Sequence, residues 1–291
     1  MKLLDYGVKP IDCQNPHTAA PAEGLSRRIF VMTSLATGFA VASVPVLAQA
    51  IQPDAKGLVA SEVSIPVTDG KIPGYREMPE KLGKYPVLLV VQEHFGVHEH
   101  VKDMRRRFAK MGYYAIAPAM YARQGDVSKM TDIGAILSTV VAKVPAAQVN
   151  ADLDAAVAVA QASGSADAAR LGTVGYCWGG RAAWVYALHN KSLRAVASYD
   201  GLLDGMKSEI KPRDPVGFAS EIEVPVLGLC AGIDGFVKPE VIDKTTAGLR
   251  TSGSDSEIVV FPNVNTASMP TTARRTTRWL PLTPPGSRST G

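Results

Sequence analysis

Gly175-Tyr176-Cys177-Trp178-Gly179-Gly180 joins a short apolar run, Leu171–Val174, to a stretch with helical spacing, Gly180–Leu188. This is the G-x-S-x-G elbow pattern with cysteine as the central residue. A nucleophile on a strained turn needs small neighbours, so that strand and helix can pack closely. The turn lifts the sulfur above the sheet edge, and the N–H of Trp178 can help bind an oxyanion there. A helix N-terminus just downstream favours a thiolate. The bland alternative is a buried structural cysteine in a Gly-rich turn, but the strand-elbow-helix context favours nucleophilic chemistry.

Two more segments aim at the same edge. Gln92-Glu93-His94-Phe95-Gly96-Val97 follows the apolar run Val87–Val91, and a carboxylate at the end of a central strand points where the elbow points. Cys230-Ala231-Gly232-Ile233-Asp234-Gly235 leaves another apolar strand. Taken alone, Glu93 reads as a solvated loop acid and Asp234 equally well as a turn former. His94, His98 and His100 cluster, but on a strand-to-helix loop they read as solvated, and no metal is expected there. Neither a Gly-rich phosphate loop nor a Cys/His ligand set is present, so no cofactor is expected.

These residues need a scaffold, and the chain alternates strand and helix. Strands are predicted at Val87–Val91, Tyr113–Ala117, Leu171–Val174, Ala195–Tyr199, Val224–Leu229 and Glu257–Phe261. Helices are predicted at Val101–Met111, Met130–Val144, Val149–Ala160, Gly180–Leu188 and Pro239–Leu249, the last with Pro at its start. Continuous apolar strands alternating with amphipathic helices imply an α/β fold, a mostly parallel sheet with helices on both faces.

The 291 residues suit one large α/β domain or two modest ones, and no internal repeat or linker divides them. With 46% hydrophobic and 20% charged residues, the composition excludes an intrinsically disordered, collagen-like or multi-span membrane protein. The net charge of +4 sits at the ends: residues 51–264 hold 23 basic and 24 acidic residues, which gives no support to nucleic-acid binding. Ser26-Arg27-Arg28-Ile29-Phe30, an apolar stretch to Leu47 and then Ala48-Gln49-Ala50 read as a twin-arginine export signal over residues 1–50. The alternative is an uncleaved membrane anchor. Pro45 and the A-x-A site favour cleavage near Ala50, with the Tat export machinery as a partner and the periplasm as the destination. The mature chain then keeps Cys177 and Cys230, which could form a disulfide in an oxidising compartment.

Together the motifs resemble the dienelactone hydrolase (carboxymethylenebutenolidase) family of α/β-hydrolases, over roughly residues 60–264. Besides the three segments above, the resemblance rests on Ala117-Pro118-Ala119-Met120-Tyr121-Ala122-Arg123, where Ala119 replaces the acidic residue usual in the family. The resemblance implies that Cys177 is the nucleophile and Asp234 the triad acid. It implies that Glu93 bonds the resting thiol and assists its deprotonation. The N–H groups of His94 and Trp178 would form the oxyanion hole, and Arg123 would hold a substrate carboxylate. The expected reaction is hydrolysis of an enol-lactone or small ester through an acyl-thioester.

The family's triad also requires a histidine after Asp234, and none follows His189. Where the family has His-Gly-Phe, this chain continues Asn265-Thr266-Ala267-Ser268-Met269-Pro270, and residues 265–291 read as an aberrant, disordered tail with the final helix lost. A one-base shift accounts for it. Synonymous codons for Thr266–Thr277, read from the last base of Asn265, can spell His-Gly-Phe-His-Ala-Asp-Tyr-Arg-Pro-Thr-Tyr-Asn, with Val-Glu ahead of it. The chain as written is then expected to be an impaired hydrolase. The competing readings are a catalytically dead fold that binds an acidic small molecule through Arg123, and a redox protein with a Cys177–Cys230 disulfide.

Overall fold

The computed structural model describes residues 54–233 and 237–264. Two strands the sequence patterns did not announce, β1 (Leu58–Val67) and β2 (Gly70–Pro79), open it as an antiparallel hairpin. Their signal is weak because Pro66, Pro73, Gly74 and Pro79 interrupt any β pattern. The predicted elements then follow: β3 (Tyr85–Val91), α1 (Glu99–Lys110), β4 (Tyr114–Pro118), α2 (Ile133–Thr139), α3 (Ala146–Ala162), β5 (Ala166–Tyr176), α4 (Trp178–His189), β6 (Ala195–Tyr199), β7 (Val226–Ala231), α5 (Pro239–Ser252) and β8 (Glu257–Phe261). The single helix expected over 130–144 is instead α2 plus a 3-10 turn at Val141–Lys143. The β-branched run Thr139-Val140-Val141 is a poor helix interior, and Pro145 forces the preceding residue out of the α region. The expected strand at Val224 starts two residues later, beyond Pro225.

The eight strands form one sheet in the order β1-β2-β4-β3-β5-β6-β7-β8. β2 is antiparallel to β4 and every later pair is parallel. Registers of Val91 with Gly175 and of Tyr176 with Tyr199 bring the ends of β3, β5 and β6 level. Glu93 and Cys177 therefore leave the sheet side by side.

One face packs Val87, Leu89, Val91, Tyr114 and Ile116 against α2, α3 and α4. On the other, Leu88, Val90, Ala115 and Val174 pack against Val101, Met104 and Phe108 of α1. Among the described residues no single helix is long and apolar enough to cross a membrane. The expected export signal, Asp234 and the 265–291 tail lie outside the described residues.

The glycines of the elbow are steric requirements. A Cβ on Gly175 would stand 2.0 Å from the carbonyl oxygen of Gly179, and one on Gly179 would stand 2.4 Å from that of Gln92. Both neighbours are backbone and cannot swing away. Gly179→Ala is expected to cost roughly 3 kcal/mol and to lower the melting temperature by roughly 10 °C. A melting curve within about 2 °C of the parent would show that β3 and α4 are not locked together as described.

Candidate active site

Cys177 is the one residue between the end of β5 and the start of α4, and its backbone is strained, with φ +52° and ψ −112°. Such a conformation in a non-glycine residue is costly and persists only where its surroundings enforce it. Two contacts enforce it here: the Cys177 N–H donates to the Tyr199 carbonyl at 2.8 Å, and the Arg181 N–H donates to the Cys177 carbonyl at 3.1 Å. Cys177 stands at the N-cap of α4, whose first N–H groups, including that of Trp178, lack i−4 partners within the helix. The Cys177 side chain is buried against Leu202 and Met206. No disulfide joins Cys177 to Cys230, so the redox pairing entertained from the sequence is not present.

The segment after β3 folds into a tight turn in which the Gly96 N–H donates to the Glu93 carbonyl at 3.2 Å. Gly96 has φ +77°, and a Cβ there would meet Val127 at 2.9 Å. The loop after β4 anchors this turn: the Met120 N–H donates to Gln92 Oε1 at 3.2 Å, and the Tyr121 hydroxyl donates to the Glu93 carbonyl at 3.3 Å. Tyr121 also packs edge-on against Trp178, with ring centroids 4.9 Å apart. Three chain segments thus meet at the elbow.

The side chains within this frame are arranged differently from the expectation. Glu93, expected to bond the resting thiol, has Oε1 at 2.6 Å from His98 Nε2 and 3.1 Å from His100 Nδ1. Burial would push the Glu93 carboxyl up, but the hydrogen bonds from His100 and His98 overcome it and hold the group well below the usual carboxylate range. Burial pushes the His100 imidazole down, and the bond to Glu93 outweighs it, so the ring is shifted upward. His98 and His100, read from the sequence as solvated, are therefore the partners of a buried charge. Their spacing from Glu93 along a loop carries no periodic signal, so pattern alone does not reveal the pairing.

Glu93, His98 and His100 also present one donor atom each within 4.8 Å, a set of the type that holds zinc. The hydrogen-bond order argues for the carboxylate-imidazole arrangement instead. His98 Nδ1 accepts the His100 backbone N–H at 3.3 Å, so the neutral ring carries its proton on Nε2, the atom facing Glu93.

Among the described residues, the thiol has the His94 imidazole as a polar neighbour. Its Nδ1 lies 3.5 Å from the Cys177 sulfur, with both residues buried. From the sequence, His94 was expected to contribute only its backbone N–H. Burial pushes the imidazole down to about 4, against the pull of Glu93, so the ring is neutral at neutral pH. This shift has a consequence for stability. The unfolded ring takes its proton near 6.5 and the folded one does not, so the unfolded state binds more protons between pH 6.5 and 4 and stability falls as pH drops through that window. At about 1.4 kcal/mol per pH unit the loss is about 3 kcal/mol. Urea unfolding at both ends of the window checks it: the parent should lose about 3 kcal/mol more than His94→Gln, and equal losses would contradict the placement of His94.

Arg123 was expected to hold a substrate carboxylate. Its guanidinium instead bridges Asp69 at 2.8 Å and the buried Asp152. Two carboxylates balance one cation, so the structure uses Arg123 to pin the β1–β2 hairpin turn to α3. A cavity of about 980 Å³ opens beside Glu93 rather than over the sulfur, lined among others by Lys71, Tyr75, Phe95, His98, Lys102 and Tyr121.

An eight-stranded, mostly parallel sheet with a strained strand-to-helix elbow at the end of β5 defines the α/β-hydrolase fold. Residues 72–274 match the model of the dienelactone hydrolase family, and the chain belongs to that family. A Methylorubrum extorquens protein named "Putative carboxymethylenebutenolidase" is 53% identical over 84% of either chain. An Escherichia coli K12 protein of the same name is 42% identical over 81% of this chain and 87% of its own. A crystal structure of a "Putative Dienelactone Hydrolase" from Klebsiella pneumoniae superposes with a TM-score of 0.72 at 39% identity, covering 77% of this chain and 98% of that one.

Proposed function

We propose that the chain hydrolyses a small carboxylate-bearing ester or enol-lactone through a thioester on Cys177. The observation that carries this reading is the strained backbone of Cys177 at the head of α4, with an imidazole 3.5 Å from its sulfur. The Cys177 sulfur attacks the carbonyl, the N–H groups of Trp178 and His94 receive the developing oxyanion, and the alcohol or enol leaves. Lys71, a cation lining the cavity, offers an anionic substrate a partner, a role that Arg123, paired with two acids, does not fill. The names of the relatives from M. extorquens and E. coli agree with a lactone-type substrate.

Because no histidine follows His189, Asp234 has no triad histidine to orient and the water that attacks the thioester lacks its usual base. The chain therefore acylates faster than it deacylates. The twin-arginine segment supports export by the Tat route to the periplasm, with cleavage near Ala50. Stopped-flow hydrolysis of p-nitrophenyl acetate and of a carboxylate-bearing enol-lactone tests the reading. A burst of one product per chain followed by slow turnover is expected. Lactone binding with no burst would favour the catalytically dead binding protein instead, a reading that the missing histidine also supports.

A further inference from the structure

We infer that the His94 imidazole accepts the Cys177 thiol proton during acylation and returns it to the leaving group. The inference rests on the reading of Cys177 as the nucleophile and adds a catalytic residue to it. Three observations converge on His94. Its Nδ1 is the atom facing the sulfur, at 3.5 Å, which is hydrogen-bond range for sulfur. The ring is held in place by burial and by Phe95, whose ring centroid is 4.3 Å away. Glu93, the acid expected to serve the thiol, is engaged by His98 and His100.

The charged and titratable groups around His94 suit this role. Glu93 and His98 share its loop and act on it with opposite sign. Cys177 faces it from the elbow, and Tyr121, from the loop after β4, lies within electrostatic reach of both Cys177 and Glu93. The ring is neutral at neutral pH, and the tautomer with its proton on Nε2 presents an Nδ1 lone pair that can take a proton.

The step balances. The sulfur–carbon bond forms as the S–H proton moves to Nδ1, giving a tetrahedral oxyanion and an imidazolium. The carbon–oxygen bond then breaks, and the imidazolium gives its proton to the departing oxygen. The products are the thioester, the free alcohol or enol, and neutral His94.

The burst phase with p-nitrophenyl acetate tests the assignment in the intact chain. In the parent, the burst rate should be level between about pH 5 and 8, because a neutral imidazole is available throughout. In His94→Asn and His94→Gln the rate near pH 7 should fall at least about 30-fold. It should then climb with pH toward the ordinary thiol value near 8.5, while mass mapping still finds the acyl group on Cys177. A parent rate that climbs tenfold per pH unit up to about 8.5 would overturn the role of His94 without recourse to any variant. Variants that keep the parent's rate and profile would do the same. A parent with neither a burst nor an adduct on Cys177 would instead overturn the nucleophile reading itself.

Discussion

Cys177→Ala should abolish both the burst and the steady-state release of p-nitrophenol, leaving a rate at least about a thousandfold below the parent. The expectation follows from the division of labour at the elbow. If Cys177 is the nucleophile, burial, oriented N–H groups and an adjacent imidazole assist only once its sulfur attacks. Removing the sulfhydryl also releases no large packing energy, since the side chain is small, so the variant should stay folded. Cys177→Ser separates chemistry from shape further. A hydroxyl is far less acidic than a thiol, and the His94 imidazole, held at about 4, is too weak a base to deprotonate it at a useful rate. Cys177→Ser should therefore match Cys177→Ala, not the parent. Substantial turnover in either variant would mean that hydrolysis proceeds elsewhere on the chain.

The second large effect runs in the opposite direction. Rewriting the segment after Val264 as Asn265→Glu, Thr266→His, Ala267→Gly and Ser268→Phe, continued with His-Ala-Asp-Tyr-Arg-Pro-Thr-Tyr-Asn, should restore deacylation. A triad histidine contributes several orders of magnitude to such reactions, so steady-state turnover should rise by about a hundredfold or more, while the burst rate changes little. Acylation in this account already has its own base in His94, and only the water step lacks one. A rewritten chain whose turnover stays at the parent level would show that the absent histidine is not what limits it.

The sheet from β3 onward was legible because its strands are short, mainly apolar runs separated by longer helical segments. The hairpin β1–β2 was not, because its prolines and glycine mask the alternation that pairing with β4 nevertheless enforces. In the site, the elbow declared itself by its glycines: each stands where a Cβ would strike backbone, a constraint written directly into local sequence. The partners of the charges were hidden. That Glu93 turns to His98 and His100, that Arg123 closes on Asp69 and Asp152, and that His94 presents Nδ1 to the sulfur are consequences of how loops fold over the sheet edge. Loop residues follow no period, so residue type alone left Glu93 with the thiol and Arg123 with a substrate.

The central claim is that Cys177 carries the acyl group and that its release is slow. Intact-mass measurement of the chain, quenched in acid within seconds of mixing with p-nitrophenyl acetate, tests it most directly. A single acetyl increment is expected on most of the molecules, mapped to the peptide containing Cys177 and absent from Cys177→Ala. An unmodified chain during active turnover, or an acetyl group on any other residue, would contradict it.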